Sequence, residues 1–94
     1  MAHGDLQRPL MADGLEIVES EDGLIIYDQT TDQVHHLNQT ASVILVLCDG
    51  ANDVEAIARQ VAELFSIAEP PTGETDACLR TLADKRLVRL DGAA

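Results

Sequence analysis

The chain has 94 residues, 17 of them acidic and 6 basic, for a formal charge of -11. At that length one core closes comfortably and two would each be too small, so one domain is expected. The charge repels phosphate backbones and anionic lipid heads and favours basic partners, which argues against non-specific nucleic-acid or membrane-surface binding.

The first thirteen residues are polar, contain Gly4 and Pro9 and show no periodicity, so a flexible arm is expected at 1–13 with the folded domain at 14–91. LEIVES (15–20) and GLIIYD (23–28) are short β-branched runs joined through Asp22-Gly23, the signature of a hairpin. QVHHL (33–37) supplies a third strand, and the three together make an antiparallel meander that needs a cover on one face.

From Asn38 the apolar period changes from two toward 3.6. Asn38 suits an N-cap and Gly50 a left-handed helix stop, which predicts a first helix over about 39–49. Its VILVLC segment is apolar on nearly every side, so this helix should be central. Asn52 and Glu55 have the spacing of a capping box. After them, Val54, Ile57, Ala58, Val61, Leu64 and Phe65 form one apolar stripe and predict a second helix. Pro70, Pro71 and Gly73 break it. A third helix is predicted over about 74–85, burying Cys78, Leu79, Leu82 and Ala83, and LVRL (87–90) alternates like a short strand or wing. The expected fold class is α+β: an N-terminal three-stranded antiparallel sheet followed by three helices, with a winged helix-turn-helix character.

Catalysis needs a nucleophile beside a base, or ligands that converge, and neither pattern is present. Cys48 and Cys78 read as reduced core thiols, Cys48 on an apolar helix where a thiol is inert. His35 and His36 are neighbours on a strand, so they point to opposite faces and cannot chelate one ion together. No phosphate-binding glycine loop and no CxxC spacing occurs, so the expectation is a non-enzyme without metal or cofactor. The longest apolar run, Val43–Cys48, is six residues, far short of a membrane span. The start lacks the apolar core of a signal peptide, and a cytoplasmic protein is expected.

Binding has better physical support, because the edges of a three-stranded meander carry unpaired N–H and C=O groups to which a foreign strand can add. Roughly five such bonds at about 0.5–1.5 kcal/mol each, with one or two seated side chains, reach micromolar affinity.

The ordered run HHLNQTA, LCDG, VEAIARQVAELF and TDACLRTLADKRLV resembles the PqqD family, the stand-alone form of the RiPP recognition element. His36, Leu37, Asn38, Thr40, Ala41, Asp49, Gly50, Val54, Ile57, Asp76, Leu82 and Leu87 carry the likeness over about residues 15–90. The resemblance implies binding of the leader segment of a ribosomally made precursor peptide as an added strand. It also implies presentation of that peptide to a modifying enzyme, such as a radical SAM enzyme or a peptidase. By position, the peptide-binding residues it implies are Gln33, Val34, His35, His36 and Leu37 on the third strand. Beside the last helix they are Cys78, Leu79, Leu82, Lys85 and Arg86.

Two positions depart from the family pattern. Gln39 replaces the usual first-turn proline but leaves the Asn38 cap in place. Arg86 replaces a common glycine and tolerates positive φ poorly, so a rebuilt end of the third helix is expected, with Lys85 and Arg86 offered to a leader carboxylate. The alternative reading is a winged-helix DNA-binding regulator, drawn from the helix-turn-helix order and the cluster Arg80, Lys85, Arg86 and Arg89. Few of its side chains suit phosphate contacts. Monomer and dimer both remain open.

Overall fold

The computed structural model describes residues 8–90. Its elements are β1 (Leu10–Met11), β2 (Leu15–Ser20), β3 (Gly23–Asp28), β4 (Gln33–Asn38), α1 (Gln39–Val46), α2 (Val54–Phe65), α3 (Thr72–Asp84) and β5 (Val88–Arg89). The architecture is α+β, with the antiparallel sheet β2-β3-β4 followed by three helices, and a second two-stranded sheet of β1 and β5.

Alternation along the strands decides what each face does. Leu24 and Ile26 of β3 lie opposite Leu37 and His35 of β4, and this row turns toward the helices. Ile26 is fully buried and Leu37 nearly so. Both join Ile44, Leu45, Ile57, Val61, Leu79, Leu82 and Leu87 in one core. The opposite face, with Val18, Ile25, Tyr27, Val34 and His36, has no helix of the described residues over it. α1 packs on β3 and β4, with α2 and α3 against α1 and each other, and β2 extends past α1, which leaves Ile17 42% exposed.

Gly23 is where the sheet meets α1 most closely. A Cβ there would stand 2.0 Å from the Leu37 carbonyl oxygen and 2.8 Å from Ser42 Oγ, and the φ of +151° is itself hostile to a side chain. The hairpin therefore needs glycine at this point. Ser42 uses the same closeness, donating from its hydroxyl to the Asn38 carbonyl at 2.7 Å.

Asn38 caps α1 as expected, its side-chain oxygen accepting from the Ala41 N–H at 2.8 Å. The helix then ends at Val46, short of the expected 49. The reason lies in the N-terminal segment. Met11 N–H donates to Cys48 O at 2.8 Å and Gly50 N–H donates to Pro9 O at 3.0 Å, which pulls Cys48–Gly50 out of the helix and into extended pairing. Ala12 N–H meets Leu87 O, and Leu10 and Met11 lie opposite Arg89 and Val88. Residues 9–12, expected in a flexible arm, are thus a structural seam with Pro9 buried, while residues 1–7 of that arm lie outside the described residues.

The N-cap of α2 is also displaced by one residue. Asp53, not Asn52, accepts from the Ala56 N–H at 2.8 Å. Asn52 donates to Leu47 O at 3.1 Å and accepts from Gln60 at 3.1 Å, tying the α1–α2 loop to α2 instead. A capping box and a loop clasp draw on the same residue type, and the backbone path after Cys48 favours the second. The stripe of α2 buries Ile57, Ala58 and Val61, but Leu64 stays 63% exposed and Phe65 36%.

Candidate functional site

The two-residue turn Glu21-Asp22 makes Ser20 and Gly23 a hydrogen-bonded pair, and this sets the phase of the whole sheet. Hydrogen-bonded and non-bonded pairs alternate in an antiparallel ladder, so Gly23, Ile25 and Tyr27 direct their backbone polar groups to β2. Leu24, Ile26 and Asp28 then direct theirs to Leu37, His35 and Gln33. What remains on the outer edge of β4 is the N–H and C=O of Val34 and His36, with Asn38 at its end. No strand of the described residues pairs with that edge. This row of unmet donors and acceptors fits an extended peptide.

The side chains of β4 divide as the alternation requires. Val34 is 54% exposed and, with exposed His36, stands on the open face. His35 and Leu37 face the helices. His35 is half-buried, and its Nε2 is sealed from solvent without a hydrogen-bond partner among the described residues. Gln33 is exposed at the start of the strand.

The β3–β4 turn is locked by its own polar groups. The Asp28 carboxylate accepts from the Thr30 hydroxyl at 2.6 Å and the Thr30 N–H at 3.0 Å, and these bonds hold it below the usual carboxylate range. The Tyr27 hydroxyl donates to the Asp32 carboxylate, which raises the phenol above its ordinary value. Tyr27 lies directly across from Val34, so this pair reaches the working edge.

On α3 the expected binding residues separate. Leu79 and Leu82, each 1% exposed, belong to the core and offer no surface to a ligand, and the same holds for Leu37 at 7%. Their helical spacing is compatible with a core stripe and with a groove wall, and their place in the buried cluster selects the first. Cys78 is half-buried, and Lys85 and Arg86 are exposed past the end of the helix.

That helix end is not rebuilt. Arg86 adopts the left-handed conformation at φ 64°, with Arg86 N–H to Ala83 O at 2.9 Å and Leu87 N–H to Leu82 O at 2.9 Å. These two bonds are a Schellman closure made without glycine, so the strain is carried by Arg86 and the path of the chain is kept.

Cys78 opens onto a cleft of about 270 Å³ between the start of α1, the α2–α3 connection and the first turns of α3. Thr40, Ile44, Val61, Phe65, Ile67, Pro71, Glu74 and Thr75 complete its lining. Thr75 is 1% exposed and its hydroxyl has no hydrogen-bond partner among the described residues. Orphaned buried polar atoms are uncommon because each costs about 1–3 kcal/mol, and they mark places where another group completes the bond. Thr40, Phe65, Ile67 and Thr75 were not expected at a site. Only Thr75, a polar residue at a core spacing three positions before Cys78, left a signal in the sequence.

Burial pushes the Cys48 thiol up to about 12 and raises that of Cys78, so both are protonated near neutral pH and poor nucleophiles. Among the described residues no group of three or more His, Cys, Asp or Glu side chains converges as a metal site. No helix of the described residues is long and apolar enough to cross a membrane.

Residues 23–88 match the family model described as coenzyme PQQ synthesis protein D (PqqD). The chain belongs to the PqqD family. The matched region runs from the hairpin glycine to β5, so it contains β3, β4 and all three helices, and it leaves out β1 and β2. No curated protein sequence matches. Among solved structures, the fold is similar to "TbiB1 in Complex with the TbiA(beta) Leader Peptide", with a TM-score of 0.71 at 21% identity over 85% of this chain and 94% of that one. The overall fold is therefore shared at low sequence identity.

Proposed function

We propose that this PqqD-family chain is a RiPP recognition element that binds the leader segment of a ribosomally synthesised precursor peptide by strand addition to β4. It then presents the peptide to a modifying enzyme, such as a radical SAM enzyme or a leader peptidase. The observation that carries this reading is the unpaired edge of β4, whose outward groups at Val34 and His36 sit in a folded, pre-positioned strand. Pre-positioning matters because the cost of ordering one side of the new ladder is met before the peptide arrives.

Side-chain selection would operate on two sides of the added strand. Val34 and His36 offer an open face above the sheet, and half-buried His35 stands on the face toward the helices. At the Asn38 end, a strand continuing past β4 meets the Thr40 rim of the 270 Å³ cleft, whose volume suits one large side chain and whose buried Thr75 hydroxyl would favour a polar tip. Lys85 and Arg86 are proposed to meet a leader carboxylate. A similar fold binds a leader peptide in TbiB1, and the family assignment supports the same class of ligand here.

Isothermal titration of the purified chain with the leader segment of the precursor encoded nearby tests the reading. A micromolar or tighter complex is expected, and its absence with every neighbouring leader refutes it. Charge reversal at Lys85 and Arg86 with unchanged leader affinity would remove the carboxylate contact from the proposal.

A further inference from the structure

A larger cleft of about 530 Å³ opens on the other side of α1, between that helix, the β2–β3 hairpin and the end of α2. Its walls are Leu24, Val43, Val46, Leu47, Leu64 and Phe65, and no residue of β4 borders it. Val46 is 59% exposed and Leu64 63%, so two large aliphatic side chains face solvent beside a half-open Phe65. Glu19 and Glu21 form the hairpin rim, exposed Asp22 follows Glu21 in the chain, and exposed Glu63 precedes Leu64. None of the six Lys and Arg residues lines the cleft; four of them lie on α3 and beyond it.

We infer that this cleft is a second docking surface, separate from the peptide edge, for a protein segment whose apolar residues are flanked by Lys or Arg. The apolar walls require the first property, and the second follows because the charged residues at the rim are all acidic. A second copy of this chain is a poor occupant, because each copy carries a formal charge of -11 and the rims would repel. Given the function proposed above, on which the partner's identity rests, the segment belongs to the enzyme that acts on the bound peptide. Both ligands can then be held at once on different sides of α1, with Phe65 bordering both clefts, which is the arrangement that presentation requires.

Leu64→Glu and the double variant Glu19→Lys, Glu21→Lys test the surface, since all three side chains are exposed and their loss spares the core. Anisotropy is read with a labelled Leu/Lys amphipathic helix and a Leu/Glu counterpart, and titration with the purified processing enzyme. The Leu/Lys helix and the enzyme are expected to bind the wild-type chain, and the Leu/Glu helix is not. Leu64→Glu should weaken binding about tenfold, the worth of one buried leucine contact, although it makes the chain more acidic. Tighter or unchanged binding by Leu64→Glu would mean diffuse charge attraction and overturn the inference. So would a Leu64-dependent dimer in sedimentation, or leader affinity that falls together with enzyme affinity. Failure of the leader to bind the wild-type chain would strike the proposed function alone, because the probe-helix measurement does not use the peptide.

Discussion

Proline scanning of β4 puts the edge assignment at risk most directly. The N–H of His36 points outward, so His36→Pro removes a donor that no ladder bond uses, and proline is tolerated on an edge strand in that orientation. The N–H of His35 points to β3, so His35→Pro deletes a ladder bond and drives the ring into Ile26's backbone. Adjacent substitutions of one residue type should therefore have opposite consequences. His36→Pro should leave the unfolding free energy within about 1 kcal/mol, because no intramolecular bond is lost. It should nonetheless weaken leader binding about tenfold, the loss of one peptide bond donor at up to about 1.5 kcal/mol. His35→Pro should cost about 3 kcal/mol of stability. Thermal unfolding and isothermal titration with the leader measure the two quantities, and His36→Ala controls for the lost imidazole. A folded His36→Pro chain that binds the leader as tightly as wild type would refute strand addition at β4. Equal damage from both prolines would refute the phase deduced from the Ser20–Gly23 turn.

Arg86→Gly should stabilise the chain by about 1 kcal/mol, since relief of left-handed strain exceeds the added freedom of glycine in the unfolded state, and should raise the Tm by roughly 4–8 °C. Gly23→Ala should destabilise by about 3 kcal/mol or more in denaturant titration, because its methyl overlaps the Leu37 carbonyl. Tyr27 is the only tyrosine, so absorbance titration reads it alone, with a midpoint expected above 10.0 that falls toward that value in Asp32→Asn. The phenol is raised in the folded state. Its contribution is therefore complete below pH 10 and is lost as pH rises through the folded midpoint. A wild-type midpoint at or below 10.0 would contradict the Tyr27–Asp32 bond.

The sequence by itself determined the elements whose cause is local. Period-two runs flanking Glu21, Asp22 and Gly23 specify the β2–β3 hairpin, although the turn itself is Glu21-Asp22 and Gly23, expected in it, opens β3. Asn38 specifies the start of α1, and the apolar stripe from Val54 specifies α2. These depend on side chains within a few residues of one another, so a linear reading recovers them. The motif order from His36 to Leu87 likewise carried the family, whose model matches residues 23–88.

Only the tertiary structure decided which apolar residues remain available to a partner. Leu79 and Leu82 share helical spacing with Cys78, but the first two are enclosed in the core cluster while Cys78 reaches an open cleft. Leu64 and Phe65 continue the stripe of Ile57 and Val61, but the overhanging hairpin leaves them facing a groove instead of a neighbour. The early stop of α1 and the order of residues 9–12 have the same origin, since Pro9 and Met11 find their hydrogen-bond partners around forty residues away at Cys48 and Gly50. A stripe or a run records that a residue prefers to be buried. What buries it is set by contacts distant in sequence, and at Val34, Leu64 and Phe65 no such contact closes over the side chain among the described residues.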